Sequence, residues 1–376
     1  MSRELNLNLR TRNLRHSPQP TPYLDPVKNV SSSNAHLPRN NRITQPFLQI
    51  DKDCHQHGAV TEEIDGLIKV YKDEHVERPK IVPCVTSGLP HELGVTSRDV
   101  VIDKFTKHLG TFYVPIKCHG KLPLLVYFHG GGFCVGSAAW SCYHDFLARL
   151  AAETSSIIVS VNYRLAPENP LPAAYDDGIK ALMWLEQQAL SVGADNWWTS
   201  RCNFSNIFLA GDSAGANIAY NVITRPGSFN AGQAAAAMKP LSIRGVVLIQ
   251  PFFGGEARTS SEKYLVQSPR SALSLASSDT YWRLALPCGS NRDHPWCNPL
   301  AKEVRRGIGG FVEISNNEMD ILKDRSLEFV ASLDRAGKMV EQVVHKGVGH
   351  AFPDSKQVPA LTNSNIRNDL TNQGLH

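Results

Sequence analysis

The chain has 376 residues, 42% of them hydrophobic, and a formal net charge of +4. That length suits one large α/β domain or two modest ones with a substantial core. Seven Lys/Arg lie in residues 1–50 against only Glu4 and Asp25, so the remainder is near −1 and offers no basic surface for nucleic acid.

The eight cysteines are irregularly spaced, without a Cys-x-x-Cys pair. This argues against a zinc site or a disulfide framework and for a reducing, cytoplasmic setting. No apolar run approaches ~18 residues, so no transmembrane helix is expected. The N-terminus lacks the apolar core of a secretory signal; its Arg-rich, acid-poor character leaves an organelle transit peptide as the minor alternative.

Residues 1–58 are rich in Asn, Pro, Ser and Arg without a sustained apolar period, and read as a mostly disordered extension. The α/β domain is expected over 59–352. Ile64, Leu67, Ile68 and Tyr71 fall at helical spacing, which predicts a short amphipathic helix over 61–75, placed to cover a groove or pack on the core. Val100–Asp103 and Gly110–Val114 read as early antiparallel strands. Leu124–Phe128 and Ile157–Val161 read as central strands. A helix is expected from Tyr175 to Gln188 with Ile179, Leu182, Met183 and Leu185 inward. Later strands are expected at Ile207–Ala210, Val246–Ile249, Phe311–Ile314 and Val340–His345. Strands alternating with helices predict a mostly parallel sheet covered on both faces. Residues 254–300 interrupt this rhythm with Gly, Ser, Pro, Arg and scattered aromatics, and read as a lid insertion.

The chemistry starts at Gly211-Asp212-Ser213-Ala214-Gly215, which fits Gly-x-Ser-x-Gly. An apolar strand precedes it and a helical pattern follows, the setting of a nucleophile elbow that lifts a serine hydroxyl above a sheet edge. His129-Gly130-Gly131-Gly132-Phe133 follows the 124–128 strand. Consecutive glycines let backbone N–H groups approach a substrate oxyanion, with the N–H of Ala214 as their natural partner. The loop lacks the Lys-Ser/Thr of a phosphate-binding P-loop. An acid and a histidine should follow the serine in the order Ser, Asp, His. Asp320 lies past the end of the 311–314 strand and is favoured over Asp324, which reads as a surface or capping residue. His350 follows the last strand through Gly347-Val348-Gly349. His345 reads as structural, and His129 as a brace of the glycine loop.

Together with Tyr163-Arg164-Leu165-Ala166-Pro167-Glu168, Asp320-Ile321-Leu322-Lys323-Asp324 and Gly349-His350-Ala351-Phe352, these motifs resemble the plant carboxylesterases of the hormone-sensitive-lipase-like group. The resemblance covers about residues 60–352. It implies an α/β-hydrolase fold capped by the N-terminal helix and the insertion. It also implies a Ser213–Asp320–His350 triad, and an oxyanion hole from Gly131, Gly132 and Ala214 with Gly130 as a further member. Arg164 is expected to pair with Asp176 or Asp177 behind the site. A small-molecule ester is the expected partner, and no cofactor, organic or metal, is called for. Two related activities stand as alternatives: the gibberellin receptors, which lack the catalytic histidine, and the 2-hydroxyisoflavanone dehydratases. The chain departs from the family after Phe352, where a polar stretch, 353–376, replaces a well-packed final helix and a weak helix at most is expected.

Overall fold

The computed structural model describes residues 11–13, 57–86, 88, 93–103, 108–118, 120–191, 197–225, 240–267, 271–301 and 310–351. Most of the 1–58 extension, Phe352 and the 353–376 tail lie outside the described residues. Thr11–Asn13 forms a short β1, described by its backbone. Val60–Ile64 (β2), Ile68–Tyr71 (β3) and Val76–Glu77 (β4) form a separate three-stranded antiparallel sheet. The main elements follow in order: Val95–Asp103 (β5), His108–Pro115 (β6), Leu122–Phe128 (β7), Ser141–Thr154 (α1), Ile157–Val161 (β8) and Ala173–Leu190 (α2). Then come Cys202–Asp212 (β9), Ala214–Thr224 (α3), Ile243–Ile249 (β10), Ser260–Tyr264 (α4) and Leu275–Ala285 (α5). Phe311–Met319 (β11), Lys323–Arg335 (α6) and Val340–Gly349 (β12) end the described chain.

The nine-stranded sheet runs β1-β12-β11-β10-β9-β7-β8-β6-β5. Strands β5 and β6 are antiparallel, as is the β6–β8 pair; every pairing from β8 across to β1 is parallel. All five residues of β8 and six of the seven in β7 are buried, as a sheet covered on both faces requires. From β7 the chain steps one way to β8, and from β9 it steps the other way to β10. Right-handed crossovers therefore put α1 on one face and α2, α3 and α6 on the other. Ring contacts agree: Phe329 of α6 meets Tyr220 of α3 edge-on at 5.1 Å.

Two expectations need correction. Residues 61–75 form β2 and β3 with their turn, not a helix. Ile64 and Ile68 stand directly opposite each other across the Asp65-Gly66-Leu67 turn, so their four-residue spacing comes from a tight hairpin, not a helical turn. Gly66 takes φ +67° there, the conformation an Asp-Gly turn favours. Met183 does not face inward on α2 but is 47% exposed; the buried side of that helix is Ala174, Gly178, Ala181, Leu182 and Leu185.

Phe329 is fully buried and also packs on Phe253 at 5.0 Å, tying α6 to α3 and to the segment that follows β10. Phe329→Ala is expected to destabilise the fold by about 3–5 kcal/mol, measured as a lower urea midpoint.

Candidate active site

Strand β9 delivers Ser213 and helix α3 starts at the next residue. Ser213 has φ 52° and ψ −118°, a strained conformation for a residue with a side chain. Neighbouring chain over-determines it: the Ser213 N–H donates to the Ile249 carbonyl at 2.8 Å, and the Phe252 N–H donates to the Ser213 carbonyl at 3.0 Å. The turn is tight enough that a Cβ on Gly215 would run into the Phe128 carbonyl.

Asp320 follows β11 and His350 follows β12. His350 Nε2 lies 3.0 Å from Ser213 Oγ, and His350 Nδ1 lies 2.7 Å from Asp320 Oδ2. All three side chains are buried. The second oxygen of Asp320 accepts from the Leu322 N–H at 2.9 Å, which fixes the carboxylate plane. Burial disfavours the His350 imidazolium, but Asp320, helped by Asp212, outweighs it and holds the pKa above the ordinary 6.5.

Gly131, Gly132, Ser213 and His350 line one cavity of about 190 Å³, whose walls are mostly apolar. Gly131 and Gly132 take φ +115° and +58°, and a Cβ on Gly132 would enter the Tyr281 ring. Neither N–H has a donor role elsewhere among the described residues. The same holds for Ala214, whose N–H is left over at the start of α3. Gly130 differs from expectation. Its N–H donates to Asp212 Oδ1 at 3.0 Å and to the Tyr143 hydroxyl at 2.8 Å, so it anchors the loop and has no N–H to offer a ligand.

A family model described as the α/β-hydrolase fold matches residues 125–354. The chain is 50% identical over 300 residues to probable carboxylesterase 6 of Arabidopsis thaliana, covering 79% of this chain and 85% of that protein. The chain belongs to the plant carboxylesterases of the α/β-hydrolase family. Another relative is the gibberellin receptor GID1A of Arabidopsis thaliana, 33% identical over 74% of this chain and 79% of that one. Among solved structures, the thermostable carboxylesterase EstE1 from a metagenomic library matches with TM-score 0.61 and 25% identity, over 77% of this chain and 91% of that chain.

Around the site of this family member, the supports predicted from sequence take definite partners. His129 is fully buried and stacks on Tyr163 with ring centroids 4.3 Å apart. Burial pushes its pKa down to about 4, so the neutral ring donates from Nδ1 to the Gly130 carbonyl at 2.8 Å. Arg164 pairs with Asp177, Nη2 to Oδ1 at 2.7 Å, and its backbone N–H donates to Oδ2 at 2.9 Å. Asp176 instead meets Arg225. His345 sits in β12 against the Ser315 hydroxyl at 2.9 Å, and Asp324 accepts from the Ser261 N–H at 2.7 Å.

Other residues were not legible as part of the site. Asp212 accepts from the Tyr127 hydroxyl at 2.8 Å and the Tyr143 hydroxyl at 3.0 Å, as well as from Gly130. Burial pushes its pKa up to about 6 despite these donors. Its place before the serine was the only signal in the sequence. Arg78, just past β4, donates to the Cys134 carbonyl at 2.6 Å, the Ala166 carbonyl at 2.9 Å and Glu168 Oε1 at 2.6 Å. It ties the small sheet to both motif loops. Leu67 of the β2–β3 turn and Tyr281 of α5 reach the cavity from segments far apart in sequence. Among the described residues, no group of three or more His, Cys, Asp or Glu is arranged to hold a metal ion, and no helix is long and apolar enough to cross a membrane.

Asp177 is fully buried and satisfies both the guanidinium and the main chain of Arg164. Asp177→Ala is expected to cost about 3 kcal/mol, the low end for a buried pair because Arg164 keeps 31% of its side chain exposed. The shift in denaturant midpoint reads it.

Proposed function

We propose that this protein hydrolyses small-molecule carboxylic esters by two-step acyl transfer, with Ser213 as nucleophile, His350 as general base and Asp320 as the carboxylate that orients it. The observation that carries the reading is the unbroken relay from Asp320 Oδ2 through both ring nitrogens of His350 to Ser213 Oγ, at 2.7 and 3.0 Å. Oγ bonds to the ester carbonyl carbon as Nε2 takes its proton, while Asp320 keeps Nδ1 protonated and stabilises the cation. The carbonyl oxygen becomes an oxyanion facing the N–H groups of Gly131, Gly132 and Ala214. Collapse breaks the bond to the alcohol, which leaves with the proton from His350. Water then gives a proton to His350 and attacks the acyl-enzyme. The acid departs and Oγ recovers its proton. The mechanism calls for no cofactor.

The relay favours an esterase over a hormone receptor, because binding alone needs no base aligned on a serine. A cytoplasmic setting belongs to the same proposal, and all seven described cysteines are free thiols.

Fluorophosphonate labelling followed by peptide mapping is expected to place the adduct on Ser213. Ser213→Ala should lower kcat by roughly 10⁴-fold or more; unchanged turnover in the purified variant would remove Ser213 from the mechanism. Protonated His350 cannot accept a proton, so kcat/KM should fall as pH drops through the raised imidazole pKa. The acid limb is expected above pH 6.5, and a limb at or below that pH would separate His350 from Asp320.

A further inference from the structure

The proposed acid and base come from adjacent strands, and the regular ladder between those strands does not extend to them. Asn317 pairs with His345, but the next pair is Met319 with Gly349. Strand β12 therefore spends four residues where β11 spends two, and Lys346-Gly347-Val348 bulges from the ladder. His350 leaves the sheet at the end of this bulge.

Two side chains of β11 hold it. Glu318 accepts from the Gly347 N–H at 3.0 Å, where the backbone has φ +68°. Asn317 is fully buried, and its Nδ2 donates to the Gly349 carbonyl at 2.7 Å. The main-chain carbonyl of the same Asn317 accepts from the Asp320 N–H at 3.2 Å. The far side of the His350 loop is held by the Ala272 N–H, which donates to the His350 carbonyl at 2.8 Å, and by Gln250 Oε1, which accepts from the Ala351 N–H at 3.2 Å. A strand interior favours apolar, β-branched residues, and a buried amide is costly unless it is bonded. Asn317 meets that condition with Nδ2, which grips the peptide before His350, while its Oδ1 is buried without a hydrogen-bond partner among the described residues.

We propose that Asn317 is a positioning residue for the reaction: its side chain sets the His350 loop while its main chain sets the Asp320 turn, and Glu318 holds the bulge between them. This rests on the relay proposed above. Asn317→Ala removes the grip on Gly349 while Ser213, His350 and Asp320 themselves are all retained.

The experiment measures kcat, KM and the pH profile of the wild type and Asn317→Ala on a p-nitrophenyl ester, with active sites titrated by a fluorophosphonate. A wild type without turnover is a failure of the esterase reading itself; the inference is judged where the wild type turns over. The expected result is a fall in kcat per titrated site of about ten- to a hundredfold, with KM changed far less. The charged groups facing the imidazole are Asp320 and Asp212. As His350 drifts from Asp320 its pKa drops, so the acid limb should move to lower pH. A role in folding alone would reduce melting temperature or the titratable fraction and leave kcat per site and the acid limb where they were; that result overturns the proposal. Should Asn317→Ala not fold, Glu318→Ala decides the matter, since Glu318 is exposed and its loss frees only Gly347. The same two shifts, smaller in size, support the proposal, and their absence overturns it.

Discussion

The buried carboxylate of Asp212 joins the two loops on which the candidate site is built. It belongs to the end of β9, one residue before Ser213, and it holds the Gly130 N–H at the end of β7. Two tyrosine hydroxyls complete its shell. Gly130 spends its N–H on this contact, while the next two residues, Gly131 and Gly132, line the cavity with N–H groups that no described group accepts. The proposed oxyanion hole and the proposed nucleophile are thus kept in register by a single side chain. Taking that carboxylate out of water is costly, as the upward shift of its pKa to about 6 records. Three hydrogen bonds offset part of the cost.

Strand order explains why these two loops meet at all. The connections leaving β7 and β9 run in opposite directions along the sheet. Their right-handed helices therefore lie on opposite faces, and the carboxyl ends of the two strands are left uncovered between them. The glycine loop and the serine turn occupy that gap. Strain at Ser213 is carried by hydrogen bonds from the neighbouring chain at Ile249 and Phe252, so the tight turn is stabilised by the sheet beside it and not by the motif alone.

The roof of the cavity is assembled from two segments more than 200 residues apart. Leu67 arrives on the small sheet and Tyr281 on α5. Glu62 of β2 and Arg283 of α5 join these carriers through two hydrogen bonds, at 2.9 and 2.8 Å. Arg78 fastens the other end of the small sheet to the glycine loop and to the Tyr163–Glu168 segment. The cap and the reacting floor therefore share their supports, and a change in one reaches the other through named contacts.

Local order was legible along the chain itself. A run of apolar residues ending in Gly-Asp-Ser-Ala-Gly names its strand, its turn and its serine hydroxyl, because the covalent spacing and the need for small residues act within a few positions. Asp320 and His350 were legible for the same reason, each standing just beyond a strand. Arg164 could be paired only to within two neighbouring aspartates, since choosing between Asp176 and Asp177 depends on which side of α2 faces the sheet. The small sheet was misread as a helix because Ile64 and Ile68 carry the same spacing in a tight hairpin as in a helical turn, and only the partner strand tells them apart. Gly130 was assigned by its motif, yet its N–H belongs to a carboxylate 82 residues away. Asp212, Arg78 and Asn317 act through bonds to distant backbone, which leave no periodicity or motif behind. The turns that follow the central strands were readable in the sequence; which N–H stayed free and which loop was held where were settled only by packing, because those outcomes depend on groups that chain order does not bring together.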